Sequence, residues 1–312
     1  MSNENALQRV DALLQSIVNS DVDVLREASR HILQAGGKRV RPRLTLLAYE
    51  AVGGKDLSPV VPVAAAVELV HTATLVHDDI NDHGSMRRGR PTVNARWGRT
   101  FALLTGDYLF TKVYELMAPY KDLNVVFAEA TVALVEGETL QAAAAKNGQL
   151  DRETYTRIIA KKTASLFAAA CKLGALLGGA PKDQVDALEQ YGFNLGLAFQ
   201  IIDDILDLIA DSEQLGKTAG LDVAQGKGIV TALAGADAGN GHYGAPAVIE
   251  IDAADPMSAF KQKMLSGNYI SEGRENAERL ATLAGMSLAA LPASEALDEL
   301  HALTRQVIER DH

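Results

Sequence analysis

Apolar residues recur with a helical period along nearly the whole chain, and this patterning constrains the fold more than any other feature. Helical candidates cover roughly 5–34, 43–52, 58–82, 92–118, 123–146, 151–178, 183–210, 256–265, 270–291 and 294–310. Breaks fall at Gly36-Gly37, Gly53-Gly54, Gly84, Gly178-Gly179-Ala180-Pro181 and Leu291-Pro292, where glycine and proline end helices. Ala and Leu are abundant and aromatics make up only 5%, which favours close-packed helices over sheets. The pattern predicts an all-α fold. No linker rich in Pro, Ser or charge cuts the 312 residues, so 1–312 is read as a single all-helical domain with a sizeable core. One stretch departs from the pattern: at 235–255 Gly, Ala, Asp and Asn crowd together, as in an ordered loop or a flap.

Charge and cysteine content narrow the function classes. A formal net charge of −10 argues against a general nucleic-acid binder, while leaving room for local basic pockets that hold phosphate. The single cysteine, Cys171, sits in the apolar run 166–177 and is expected to pack there. The first residues lack the basic start and apolar core of a signal peptide. No stretch reaches the roughly 18–20 uncharged apolar residues that span a bilayer, since Glu68, His71 and Lys172 interrupt the best candidates. A cytoplasmic enzyme is the default expectation.

Two aspartate-rich segments carry the chemistry. The first runs Leu69-Val-His-Thr-Ala-Thr-Leu-Val-His-Asp-Asp-Ile-Asn-Asp82. At about 100° per residue, His71, Thr74, Asp78 and Asp82 share one helix face with Asp79 beside it. The second runs Ala198-Phe-Gln-Ile-Ile-Asp-Asp-Ile-Leu-Asp-Leu-Ile209, where Gln200, Asp203 and Asp207 align with Asp204 adjacent. Asp is a poor helix former, and three in one turn repel one another. Setting such a triplet mid-helix twice, with no lysine four residues on, calls for a cation. Carboxylate oxygens suit Mg²⁺, which usually takes one or two of them and completes its octahedron with phosphates and water. One DDxxD alone is as readily a solvated helix face; two copies inside Ile, Leu and Val favour the metal.

A site for diphosphates needs protein cations as well. Gly36-Gly-Lys-Arg-Val-Arg-Pro-Arg43 places Lys38, Arg39 and Arg41 in a tight turn, with Pro42 expected at the first position of the next helix. Met86-Arg-Arg-Gly-Arg-Pro91 follows the first acidic helix, and its adjacent Arg87 and Arg88 point apart, toward two different phosphates. Lys161-Lys162-Thr163, Gly216-Lys217 and Gly226-Lys227 add further candidates. Each lysine alone reads as surface charge; their position beside the acid segments makes the joint reading stronger.

With these residues in view, the chain resembles the trans-type polyprenyl diphosphate synthases. The likeness covers about three-quarters of the chain: GGKRVRP (36–42), HTATLVHDDINDHGSMRRGRPT (71–92), LLTGDYLF (103–110), EGE (136–138), KKTASLF (161–167), GLAFQIIDDILD (196–207) and GK (216–217). It implies helices around a deep central cavity and a homodimer. By that resemblance Asp78, Asp82 and Asp203 are direct Mg²⁺ ligands, with Asp79, Asp204 and Asp207 supporting, for three ions bound with the allylic diphosphate. Arg87, Lys162, Thr163, Gln200 and Lys217 would contact the allylic diphosphate or the nascent cation. Lys38, Arg41, His71 and Arg88 would hold isopentenyl diphosphate. The implied reaction ionises the allylic diphosphate, lets the isopentenyl double bond attack in a pocket closed to water, and then loses a proton.

In such enzymes a bulky aromatic just before the first DDxxD gives short products. Here those positions are Ala73 and Thr74, with Val70 a turn deeper, so a geranylgeranyl or longer product is expected, with Tyr108 and Phe110 as distal stops. One departure follows the second motif: Gly226-Lys227-Gly228-Ile229-Val230-Thr231 lacks the usual proline, which unsettles the role of Lys227. A terpene cyclase would carry a different second metal motif. A helical phosphohydrolase built on His77-Asp78 would leave the second motif unexplained, and a non-catalytic partner subunit would be expected to lose the acids.

Overall fold

The amphipathic stretch at the start of the chain folds as two helices rather than one. In the computed structural model, which describes residues 3–147, 150–209 and 268–310, α1 spans Asn3–Ile17 and α2 spans Asp23–Leu33. The chain turns through Asn19, Ser20 and Asp21, residue types that favour turns; the Ser20 hydroxyl accepts from Val22 N at 3.1 Å, and Val22 is extended. That break contains neither glycine nor proline, so the breaker pattern did not mark it.

The next elements are α3 (Val40–Ala51), α4 (Val61–Asn81), the two-residue strands β1 (Met86–Arg87) and β2 (Arg90–Pro91), α5 (Val93–Trp97) and α6 (Arg99–Met117). Then come α7 (Leu123–Asn147), α8 (Arg152–Ile159), a π-helical turn (Ala160–Ala164), α9 (Ser165–Leu177) and α10 (Lys182–Ile209). After the undescribed stretch, α11 covers Tyr269–Ser287, a 3₁₀ turn Leu288–Ala290, and α12 Glu295–Ile308. Among the described residues the fold is all-α, with one small hairpin. The expected helix at 256–265 and the glycine-rich 235–255 lie outside the described residues.

Helix α4 is apolar on every side: Val63, Ala64, Ala65, Ala66, Val67, Leu69 and Val70 are all fully buried. A helix buried all round belongs at the centre, and α4 packs on α1, α3 and α6. Helix α9 lies between α3 and α10, and α10 packs on α11 as well. Glycines permit this closeness. A Cβ on Gly174 would stand 2.3 Å from the Thr45 carbonyl oxygen of α3, and one on Gly192 2.5 Å from that of Phe167.

Helix α3 begins earlier than expected. Arg39 sits in left-handed backbone (φ 48°) at its N-cap, so Val40 is the first helical residue and Pro42 the third. The first four N–H groups of a helix lack intrahelical partners, so proline is tolerated there too.

Candidate active site

The first aspartate triplet lies at the end of α4, not in its middle. Asp78 and Asp79 are in the last turn and Asp82 is the C-cap residue. The negative end of the helix dipole adds to the mutual repulsion of these carboxylates. Compensation comes from elsewhere in the chain. Arg87 sets Nε and Nη2 on Asp79 Oδ1 at 2.9 and 2.7 Å. Lys162 brings its Nζ to 3.6 Å from Asp78 Oδ2. Asp79 is 3% exposed, which rules out a solvated helix face. Burial raises its carboxyl above the usual range, with Arg87 pulling the other way. We read the pair as ionised, because a guanidinium keeps its proton.

The hairpin after α4 aims its two arginines apart. Arg88 (φ 49°) and Gly89 (φ 73°) form the two-residue loop, the left-handed pair that a tight hairpin requires. Arg87 turns back to Asp79, while the Arg88 guanidinium lies against Gly37, where a Cβ would meet Nη1 at 2.6 Å. Thr92 anchors the hairpin: its hydroxyl accepts from Ala95 N at 3.0 Å and donates to Gly84 O at 2.8 Å. His31 holds the same strand from α2 through the Pro91 carbonyl at 2.7 Å.

Around Gly37 a cationic pocket forms. Arg41 lies over the Phe167 ring at 4.7 Å, and its Nε has no hydrogen-bond partner among the described residues. Burial lowers its pKa to about 10, so it stays charged at neutral pH. His71 is pushed well below its usual value, first by burial and then by Arg41, Arg88, Arg87 and Arg39, and is therefore neutral. Lys38 is lowered by burial and by Arg310, with Asp203 opposing. Arg39 does not join this group. It donates to Asp11 Oδ1 at 2.8 Å and to the buried Glu68 at 2.6 Å, tying α1 to α4.

The second triplet lies near the end of the described α10, and a polar chain links it to the first. Thr163 donates to Gln200 Oε1 at 2.7 Å, and Gln200 Nε2 donates to Asp204 Oδ1 at 2.9 Å. Tyr155 donates to Asp204 Oδ2 at 2.6 Å. Asp204 thus accepts at both oxygens, which fits a supporting role. Asp207 is buried, and the half-exposed Asp203 stands 3.7 Å from Arg310. Lys162 and Thr163 are adjacent on the π-helical turn, so Asp78, Lys162, Thr163, Gln200 and Asp204 form one continuous path.

Lys162 is also held from α7. Its Nζ donates to Gln141 Oε1 at 2.9 Å and makes an ion pair with Glu138 Oε1 at 2.7 Å, off the hydrogen-bonding direction. Burial opposes the ammonium charge, but Asp78 and Glu138 outweigh it and raise its pKa. Burial and Asp78 push the Glu138 carboxyl up to about 7, with Lys162 opposing.

These residues fit a hard divalent cation. The donors are carboxylate oxygens, and Asp79 Oδ2 is buried with no hydrogen-bond partner among the described residues. Among those residues no group of three or more acidic, histidine or cysteine side chains is placed to hold a metal ion by itself. An open set is what Mg²⁺ accepts when phosphate oxygens and water complete its shell.

Of the chain-length positions, Val70 and Ala73 are fully buried, and the Thr74 hydroxyl turns back to the His71 carbonyl at 2.8 Å. Phe110 stacks on His77, centroids 6.1 Å apart, which places it level with the acidic motif. Tyr108 has the Lys112 ammonium 5.5 Å from its ring centroid. Lys217 and Lys227 lie outside the described residues. Sequence reasoning missed Tyr155, Glu138, Gln141 and Arg310. The EGE string was the one available signal for Glu138.

Two such motifs, one contacted by Lys162 and the other reached through Thr163 and Gln200, with arginines beside them, are suited to handling diphosphates. Residues 22–255 match the family described as Polyprenyl synthetase. The octaprenyl diphosphate synthase of Escherichia coli K12 is 35% identical over 312 residues, covering 97% of this chain and 95% of its own. The short chain isoprenyl diphosphate synthase of Methanothermobacter thermautotrophicus is 44% identical over 223 residues, 70% of this chain and 68% of its own. The crystal structure of a polyprenyl synthase from Caulobacter crescentus CB15, complexed with calcium and isoprenyl diphosphate, superposes with a TM-score of 0.90 at 34% identity. It covers 99% of this chain and 96% of that one. The chain belongs to the polyprenyl synthetase family. It is a prenyl-transferring enzyme of the polyprenyl diphosphate synthase class, whose members make products of varied length. No helix among the described residues is long and apolar enough to cross a membrane.

Proposed function

We propose that this enzyme condenses isopentenyl diphosphate with an allylic diphosphate in a Mg²⁺-dependent reaction, giving a geranylgeranyl or longer polyprenyl diphosphate. The observation that carries this reading is the polar path from Asp78 through Lys162, Thr163 and Gln200 to Asp204, which joins both motifs into one site. Asp78, Asp82 and Asp203 would hold the metal, with Asp79, Asp204 and Asp207 behind them. The Caulobacter relative's calcium supports a hard, oxygen-seeking cation. Bound Mg²⁺ would neutralise diphosphate oxygens and favour departure of the leaving group.

The chain's own groups supply the rest. Lys162 and Arg87 carry positive charge toward the departing allylic diphosphate. Lys38, Arg41 and Arg88 hold the isopentenyl diphosphate, and neutral His71 donates a hydrogen bond to it. Arg41 is suited to this because stacking on Phe167 positions its guanidinium while its Nε stays unbonded. Val70 and Ala73, both fully buried on α4, would form part of an apolar wall that keeps water from the cation. Small residues there support a long product. Phe110, level with the motif, is less suited to be a distal stop than deeper residues of α6.

Purified protein with Mg²⁺, isopentenyl diphosphate and each allylic starter should yield elongated prenyl diphosphates on chromatography. No elongated product would sink the reading, and products shorter than geranylgeranyl would refute the length assignment. Asp78→Ala and Asp203→Ala should each lower turnover by at least about 10²-fold. Their circular dichroism should stay helical; near-normal rates would remove the metal assignment.

A further inference from the structure

Lys162 stands between two sets of acceptors, and it is held closer to one of them. On α7 it meets Glu138 at 2.7 Å and Gln141 at 2.9 Å, while Asp78 is 3.6 Å away. Both α7 acceptors lie nearer the ammonium than Asp78 does. The backbone enforces the arrangement. A Cβ on Gly137 would lie 2.5 Å from Lys162 N and 2.9 Å from its Cα, so α7 touches the π-helical turn directly. Glu136 grips the neighbouring Lys161 on the same side. Lys161 and Lys162 both sit on this π-helical turn, the one carrying its ion pair to Glu136 and the other to Glu138 of α7.

A lysine is a compact charge on a flexible stem. Freed from α7, its ammonium would settle on the nearest remaining carboxylate, Asp78, and a metal ion would then have to displace it. We propose that Glu138 and Gln141 are positioning residues that hold the Lys162 ammonium off Asp78 and so keep that carboxylate open to the divalent cation. The proposal rests on the reading of Asp78 as a cation ligand. It assigns a task to the EGE segment that goes beyond that reading. Glu138 acts through Lys162.

The test measures metal binding directly, by loss of the free Mn²⁺ electron paramagnetic resonance signal in the presence of inorganic diphosphate, alongside thermal melts of the metal-free protein. Glu138→Gln should weaken Mn²⁺ binding about tenfold, the effect expected when one strong charged contact is lost. Two variants keep the local charge unchanged. Glu138→Asp shortens the reach and Gln141→Met removes the second anchor, and both should weaken binding by several-fold while the melting temperature stays near that of the parent. Glu136→Gln, which acts on Lys161, should leave binding unchanged.

Parent-like affinity in Glu138→Asp and Gln141→Met overturns the proposal, even if Glu138→Gln binds weakly, because charge alone would then explain the loss. A loss of affinity in Glu136→Gln equal to that in Glu138→Gln overturns it as well. Asp78→Asn separates the two levels. If that variant binds Mn²⁺ as tightly as the parent, the reading of Asp78 as a ligand falls. If it binds weakly while the α7 variants do not, only the positioning role falls.

Discussion

Tyr155 shows at the scale of one residue what the linear sequence withholds. Its hydroxyl reaches across 49 positions to a buried carboxylate oxygen of the second motif, yet a tyrosine in RETYTRII carries no signature of that contact. Its ring also lines a cavity of about 230 Å³ between α8, α10 and α11. Hydrogen bonds to charged groups contribute roughly 1.5–3 kcal/mol. Tyr155→Phe should therefore destabilise the protein by about that amount in urea unfolding, and lower kcat by letting Asp204 and Gln200 shift. Unchanged stability would show that the bond contributes nothing. Arg39 illustrates the converse. It shares the basic turn with Lys38 and Arg41 in sequence, but left-handed backbone at Arg39 carries its side chain to Asp11 and Glu68. The aspartates themselves were legible, since residue type and spacing alone mark them. Arg87 and Lys162 were legible as basic neighbours of the motifs, but which aspartate each pairs with was not, and Arg310 arrives from the far end of the chain with no local signal.

At the scale of elements, helical periodicity located most helices to within a few residues but could not see where regular geometry changes. The stretch read as one helix over 151–178 is α8, a π-helical turn and α9. A π turn inserts a residue without disturbing the apolar pattern enough to register, and it sits where Lys162 and Thr163 must face the site. Gly98 likewise splits 92–118 into α5 and α6. Close packing was hidden for another reason: a glycine inside a helix reads as a weakness until its neighbour is known. Gly174 faces the α3 backbone, where a Cβ would come within 2.3 Å of Thr45 O, 2.9 Å of Ala48 Cβ and 3.0 Å of Tyr49 N. Two of those atoms are backbone, so α9 and α3 would have to part. Gly174→Ala should cost about 1–3 kcal/mol, as overpacking does, despite alanine's better helix propensity. A variant as stable as the parent in guanidinium unfolding would mean that the helices can separate freely.

Across the whole molecule, α4 and α9 are covered by neighbouring helices, whereas α6 and α7 leave apolar faces open. Phe101, Leu104 and Tyr114 on α6 and Val125, Val132 and Val135 on α7 are all exposed, Tyr114 at 75% and Val132 at 57%. Val125, Val132 and Val135 recur at helical spacing on one side of α7, whose other side carries Glu138 and Gln141 toward Lys162. Val125, Val132 and Val135 leave apolar surface exposed on α7, and such surface favours an occupant. A second copy would cover it through a two-fold contact that pairs the face with itself. Light scattering after size exclusion should then give twice the chain mass. Val132→Glu puts a charge where the monomer is already solvated, so it should alter monomer stability by no more than about 0.5 kcal/mol while splitting the dimer. If the parent runs as a monomer at micromolar concentration, the homodimer assignment fails. If Val132→Glu stays dimeric, the partner sits on another face. Because α7 reaches both this surface and the lysine between the motifs, the split protein should also lose activity, and an active monomer would show that the site needs no support from a second chain.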